Sequence, residues 1–208
     1  MADVEDLLKR AQDHLAAGRF PEAKAVCDEG LASFPEDADV REMYSNLHLA
    51  HGIRLSGLVR EMRRKEIEAR GKPGELFEDG DAVQATFRDA LDAFDRVLAV
   101  DADHVKAWSI KAHSLFRQDR ANRPAALAAY DEAVRALERT LPAGSPALET
   151  GRRTLLRGRR QIERPCDLCD DTGFCTECGG SGWRSTLGFR RKCETCLSQG
   201  ICKRCGVL

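Results

Sequence analysis

The residues best equipped for chemistry lie toward the carboxy end. Eight of the nine cysteines fall in the last 43 residues, as CDLCDDTGFCTEC (Cys166 to Cys178) and, fourteen residues later, CETCLSQGICKRC (Cys193 to Cys205). Each block holds two CxxC pairs separated by five residues. Two CxxC pairs supply four thiolates, the set that borderline-soft zinc takes tetrahedrally. Cys166, Cys169, Cys175, Cys178, Cys193, Cys196, Cys202 and Cys205 therefore predict two closed structural zinc sites with no open position for a reacting water. Residues 166–208 have too few apolar side chains to offset their ordering entropy, so bound metal, worth about 10–16 kcal/mol per structural site in peptides, is expected to fold them. Thiol–disulfide exchange is the competing chemistry for CxxC. It is disfavoured because zinc-tied thiolates are poor nucleophiles and no thioredoxin-like βαβ pattern surrounds the pairs.

The remainder of the chain must carry and position these sites. Its 208 residues are 42% hydrophobic but only 6% aromatic, and Val, Ile and Thr are sparse beside Ala, Leu, Arg, Asp and Glu, which favours helix. The net charge of −1 hides a split: residues 151–208 hold 12 Lys/Arg against 6 Asp/Glu, whereas residues 1–150 hold 21 against 28. The start, MADVEDLLKR, lacks the basic and apolar regions of a secretory signal, and no apolar run reaches the roughly 18 residues of a membrane span. These features set the expectation of a soluble, cytoplasmic protein, where reduced thiols bind metal rather than form disulfides.

Residues 4–37, VEDLLKRAQDHLAAGRFPEAKAVCDEGLASFPED, place small residues where two helices must approach (Ala11, Ala23, Gly30), a glycine at the turn (Gly18) and a proline after the second helix (Pro35). The stretch resembles one tetratricopeptide unit of about 34 residues. A second helix of this type carries Phe87, Ala90, Leu91, Phe94, Val97 and Leu98 at helical spacing, with its first helix in DVREMYSNLHLAHGIRL. Between the two lies an excess near 57–82, expected as a helix extended to about Arg70 and a Gly/Pro loop. HVKAWSIKAHSLFRQDR and RPAALAAYDEAVRALERTLP form a third unit, with an inter-helix turn two residues longer than usual. Three units suffice to bury a continuous core. The resemblance implies a peptide-binding groove on the first helices, at Gln12, Arg41, Ser45, Asn46, Lys106, His113 and Arg117. Leu8 and Ile110 occupy places where chaperone-binding members carry clamp residues, which argues against that particular carboxy-terminal tail as ligand.

After the array, Ser145 before Pro146 starts a helix with Leu148, Leu155, Leu156 and Ile162 on one side and Arg153, Arg157, Arg160 and Arg164 on another. The apolar side is expected to cap the last repeat. The arginine row reads either as a solvated face or, with Arg184, Arg190, Arg191 and Lys192 around Trp183 and Phe189, as a contact for an acidic partner or nucleic acid.

In the tail, CTECGGSGW contains CxxCxGxG, and CDLCDDTG and CETCLSQG keep one of its glycines. The repeated motif resembles the cysteine-rich domain of DnaJ-type co-chaperones over about 43 residues, though the fourth pair, CKRCGVL, lacks the motif's later glycines. By that resemblance the pairs are expected to nest, Cys166, Cys169, Cys202 and Cys205 around one ion and Cys175, Cys178, Cys193 and Cys196 around the other. The five-residue gap is also short enough to close around a single ion, so sequential pairing stays open. No HPD tripeptide accompanies the motif, hence no J-domain is expected. Cys27 reads as core, and His48 and His51 lack a third ligand.

The fold expectation is mainly α: a tetratricopeptide-like array over 1–143, a basic capping helix over 144–164, and a small two-zinc cysteine-rich β-hairpin domain over 165–208. The expected function is that of a non-enzymatic adaptor, co-chaperone-like or assembly factor, with a protein or peptide partner. A zinc-dependent nucleic-acid-binding regulator is the alternative, ahead of an oxidoreductase; partner identity and oligomeric state are not legible.

Overall fold

A computed structural model describes residues 3–70, 79–186 and 188–205. Its helices are α1 (Val4–Ala16), α2 (Phe20–Ser33), α3 (Ala38–Arg70), α4 (Asp81–Val100), α5 (Val105–Gln118), α6 (Arg123–Thr140) and α7 (Pro146–Glu163), with a two-stranded antiparallel hairpin of β1 (Trp183–Thr186) and β2 (Phe189–Lys192). Consecutive helices pack as antiparallel pairs, α1 with α2, α3 with α4 and α5 with α6, so the fold is a mainly α repeat array followed by a small cysteine-rich segment. Among the described residues no helix is long and apolar enough to cross a membrane.

The periodic apolar residues form the core as a 3.6-residue repeat requires. Leu7, Ala11, Ala23, Val26 and Cys27 of the first pair pack with Tyr44 and Leu47 of α3. The expected face of α4 is buried at Phe87, Ala90, Phe94, Val97 and Leu98. Gly52 lets α3 approach α4, since a Cβ there would lie 2.5 Å from the Phe94 ring. The long turn after α5 is taken up by a single 3₁₀ turn, Arg120–Asn122, in which the Asp119 carboxylate accepts from Ala121 N at 2.8 Å.

The capping helix forms as its sequence dictates. The Ser145 hydroxyl accepts from Leu148 N at 3.2 Å, and Leu148, Leu155 and Ile162 join the α6 cluster around Tyr130 and Ala133.

The extra residues within the second repeat lengthen its first helix, α3, to 33 residues, about 50 Å at 1.5 Å per residue, which carries it beyond the ordinary repeat. This extension is a packed strut. Val59 clusters with Val83 and Phe87, and Ile67, 3% exposed, ends against the cysteine-rich segment at Phe174 and Gly180. The Gly/Pro loop expected after Arg70 lies outside the described residues.

Candidate metal centre

The cysteine-rich segment folds on its internal repeat. The five-residue gaps run antiparallel and exchange two hydrogen bonds, Cys175 N to Gly200 O at 3.0 Å and Cys202 N to Gly173 O at 2.9 Å, about the Phe174–Ile201 bridge. That pairing brings the first CxxC beside the fourth and the second beside the third. Two four-thiol groups result, Cys166, Cys169, Cys202, Cys205 and Cys175, Cys178, Cys193, Cys196, the sulfurs of each lying within 4.8 Å of one another. The nested arrangement is the one formed; the sequential one is not.

The geometry fits a metal ion in each group. Sulfurs around a tetrahedral ion at about 2.3 Å stand about 3.8 Å apart. The separations are 3.9 Å for Cys166–Cys202, 3.4 Å for Cys169–Cys205, 3.9 Å for Cys175–Cys193 and 3.7 Å for Cys178–Cys196, far beyond a disulfide bond. Backbone amides also point at sulfur: Gly173 N donates to Cys169 at 3.4 Å, Gly182 N to Cys178 at 3.3 Å and Gly200 N to Cys196 at 3.3 Å. Such donors stabilise thiolate charge. Burial pushes the Cys178 thiol up to about 12, a cost that a cation replacing the proton removes.

Tight turns make these donors available. Asp170, Asp171, Leu197 and Ser198 adopt positive φ at matching places in the two blocks. Gly200 is the tightest position, with φ +74 and a hypothetical Cβ 1.9 Å from Gly180 O, so only glycine fits.

Two arginines from the array hold this segment in place, and sequence patterning does not single them out. Arg120 donates to the carbonyls of Asp171 at 3.0 Å and Phe116 at 2.9 Å while lying over the Phe116 ring. Arg123 reaches the Asp171 carboxylate and the Ile162 carbonyl. Their only sequence signal is position, in the over-long turn after α5.

The seven groove residues do not converge. Gln12 and Asn46 share a shallow depression with Leu8, Leu15, Met43, Asp39 and Glu42. On α3 a stripe at 39, 43, 46 and 50 faces it, and the 100° rotation per residue carries Arg41 and Ser45 away. Arg41 accordingly bonds the Val100 carbonyl and Ser45 is buried. Lys106 is exposed at the start of α5. His113 bonds the Tyr130 hydroxyl, and burial, with the charge of Arg117, holds its imidazole down to about 4. Arg117 faces a different cavity, between α3, α5 and the cysteine-rich segment.

The basic residues divide likewise. Arg153, Arg157, Arg160 and Arg164 line one cleft with Cys166, Asp167 and Arg204, and among the described residues none of the four has an acidic partner. Arg184 pairs with Glu177 at 3.3 Å, and Arg190 lies 4.8 Å over Trp183 across the hairpin, with Arg191 and Lys192 exposed beside it. Cys27 is fully buried, and the described residues hold no metal-sized group around His48 or His51.

Residues 4–47 match the tetratricopeptide repeat family, which covers α1, α2 and the start of α3 and supports a protein-interaction role for the array. Neither the curated proteins nor the solved structures contain a match to the chain.

Proposed function

We propose that the chain is a non-enzymatic adaptor, co-chaperone-like or an assembly factor, that holds a partner segment on the first-helix side of its repeats and presents a two-zinc domain to a second protein surface. The observation that carries this reading is the pairing of two binding modules: an open depression with apolar Leu8, Leu15 and Met43 beside Gln12 and Asn46, and a cysteine-rich segment anchored to the same array through Arg120 and Arg123. Zinc is the metal best suited to two all-sulfur tetrahedral groups, with the eight cysteines as ligands, and four thiolates per ion leave no position for a reacting water. A reducing, cytoplasmic setting keeps the thiols available. The nested pairing supports a DnaJ-like reading of residues 165–208, with 1–143 as the repeat domain and 144–164 as the basic cap. Leu15 is 42% exposed, as a partner-binding residue would be.

Nuclease-treated affinity capture from the native host tests this. The intact chain should retain partners that Leu8→Asp/Met43→Asp loses, and a chain truncated before Cys166 should lose a distinct subset. Identical captures from all three would reject the adaptor reading.

A nucleic-acid-binding role is the second reading, favoured by the α7 cleft, where four unpaired arginines stand beside Arg204.

A further inference from the structure

Between the α3 extension, α5 and the cysteine-rich segment lies a cavity of about 710 Å³. Five arginines line it: Arg60, Arg63, Arg64, Arg117 and Arg120. Two are committed to the fold, and Arg64 is an exposed residue whose charge acts on Glu61. Arg63 is clamped by the Asp79 carboxylate and donates to the Arg117 carbonyl at 2.9 Å, and Arg120 is held by the Asp171 and Phe116 carbonyls. Arg60 and Arg117 are different. Among the described residues neither guanidinium has a hydrogen-bond acceptor or an acidic partner; Arg117 is half-buried, Arg60 is exposed, and the two lie close enough to repel each other.

Burial and the like charges of Arg60, Arg63 and Arg120 push the Arg117 guanidinium down to about 10. The half-buried Arg117 cation, with no counter-charge and with Arg60 beside it, is stabilised when an anion joins the two. A planar guanidinium presents paired N–H donors matched to phosphate oxygens, and two positive charges match a dianion better than a single carboxylate. The acidic residues on the lining do not serve: Asp79 is taken by Arg63, Asp171 by Arg123, Asp119 caps the 3₁₀ turn, and Asp170 is exposed and, among the described residues, forms no ion pair with Arg60 or Arg117. An apolar wall from Val59, Ile67 and Phe87 completes the lining. We infer that this cavity binds a phosphate group between Arg60 and Arg117, either as free phosphate or as the monoester of a small molecule whose organic part rests on the apolar wall. The inference goes beyond the adaptor reading and does not depend on it.

Calorimetric titration of the full-length, zinc-replete protein with inorganic phosphate and with phenyl phosphate tests it, with acetate as the carboxylate control. Saturable binding of phosphate is expected, about tenfold weaker in each of Arg60→Gln and Arg117→Gln, and unchanged in Arg135→Gln, an exposed arginine on α6 paired with Glu132. Tighter binding of phenyl phosphate than of phosphate identifies the monoester; equal binding identifies the free ion. Arg60 is exposed, so Arg60→Gln serves if Arg117→Gln does not fold. Absence of saturable phosphate binding, acetate binding as tightly as phosphate, or equal affinity in Arg60→Gln would overturn the inference, as would an equal loss of binding in Arg135→Gln.

Discussion

Arg120 of the repeat array touches Cys205 of the cysteine-rich segment, Nη2 lying 3.9 Å from Sγ. The same guanidinium donates to the Asp171 and Phe116 carbonyls, and burial pushes its pKa down. With a metal ion held by the four cysteines, the negative charge of the tetrathiolate would stabilise a cation so placed and couple the two parts of the chain through one side chain.

Removing that side chain should loosen the junction. Arg120→Ala is expected to lower stability by about 2 kcal/mol, because three acceptors lose a charged donor. It should also hasten metal release from the Cys166/Cys169/Cys202/Cys205 group more than from the other. Arg120→Lys should rescue little, since an ammonium cannot span the same acceptors. Chelator competition with a chromophoric metal indicator reads both effects.

Two glycines with similar backbone angles should behave differently. Gly200→Ala combines φ +74 with a Cβ 1.9 Å from a backbone oxygen and should cost on the order of 3 kcal/mol or more, with loss of bound metal. Gly188→Ala, at φ +80 with nothing within 4 Å, should cost only about 1 kcal/mol and keep its metal. Metal content of the two purified variants distinguishes them.

His48 makes the array acid-sensitive. It is 1% exposed, both ring nitrogens lack a partner, and burial, with the charges of Lys24 and Arg96, holds it down to about 4 from 6.5. Folding therefore favours the neutral ring: its stability is fully present above the unfolded value and is lost as pH falls from about 6.5 toward 4. The loss attributable to His48 should reach about 2 kcal/mol at pH 5. Urea unfolding of the native chain and of His48→Phe across this range should show their stability difference shifting in favour of the variant as pH falls. Parallel curves would contradict the assignment.

The arginine cleft of α7 gives a test of the second functional reading. If it binds a phosphate backbone, Arg153, Arg157, Arg160 and Arg164 changed together to Ala should weaken nucleic-acid retention and flatten its salt dependence by about 0.9 log unit per lost duplex phosphate contact. Unchanged retention in the variant would remove the cleft from that role.

The repeat packing was legible wherever burial repeats at helical spacing. Ala11, Ala23, Phe87 and Phe94 are all buried as expected. The cysteine pairs were legible because metal chemistry demands fixed ligand types at short separation; the nested pairing was expected only through the resemblance, because spacing does not encode the hydrogen bonds that join the two gaps, Cys175 N to Gly200 O and Cys202 N to Gly173 O. Arg120, Arg123 and Ile67 escaped notice for a related reason. Each acts across the junction between separate units, and no local periodicity encodes a contact such as Arg120 with Asp171, 51 residues apart. The groove residues do not converge because the helical phase of α3 turns Arg41 toward the Val100 carbonyl, a rotation that resemblance alone does not encode.

The account rests most heavily on sulfur-bound metal shaping the carboxy-terminal segment. Native mass spectrometry of the reduced, zinc-replete chain, followed by hydrogen exchange before and after chelation, tests this directly. Two metal ions per chain are predicted, one for each four-thiol group, with residues 166–205 losing protection on chelation while α1, α2, α4 and α6 keep theirs. Fewer than two ions with that segment still protected would contradict it.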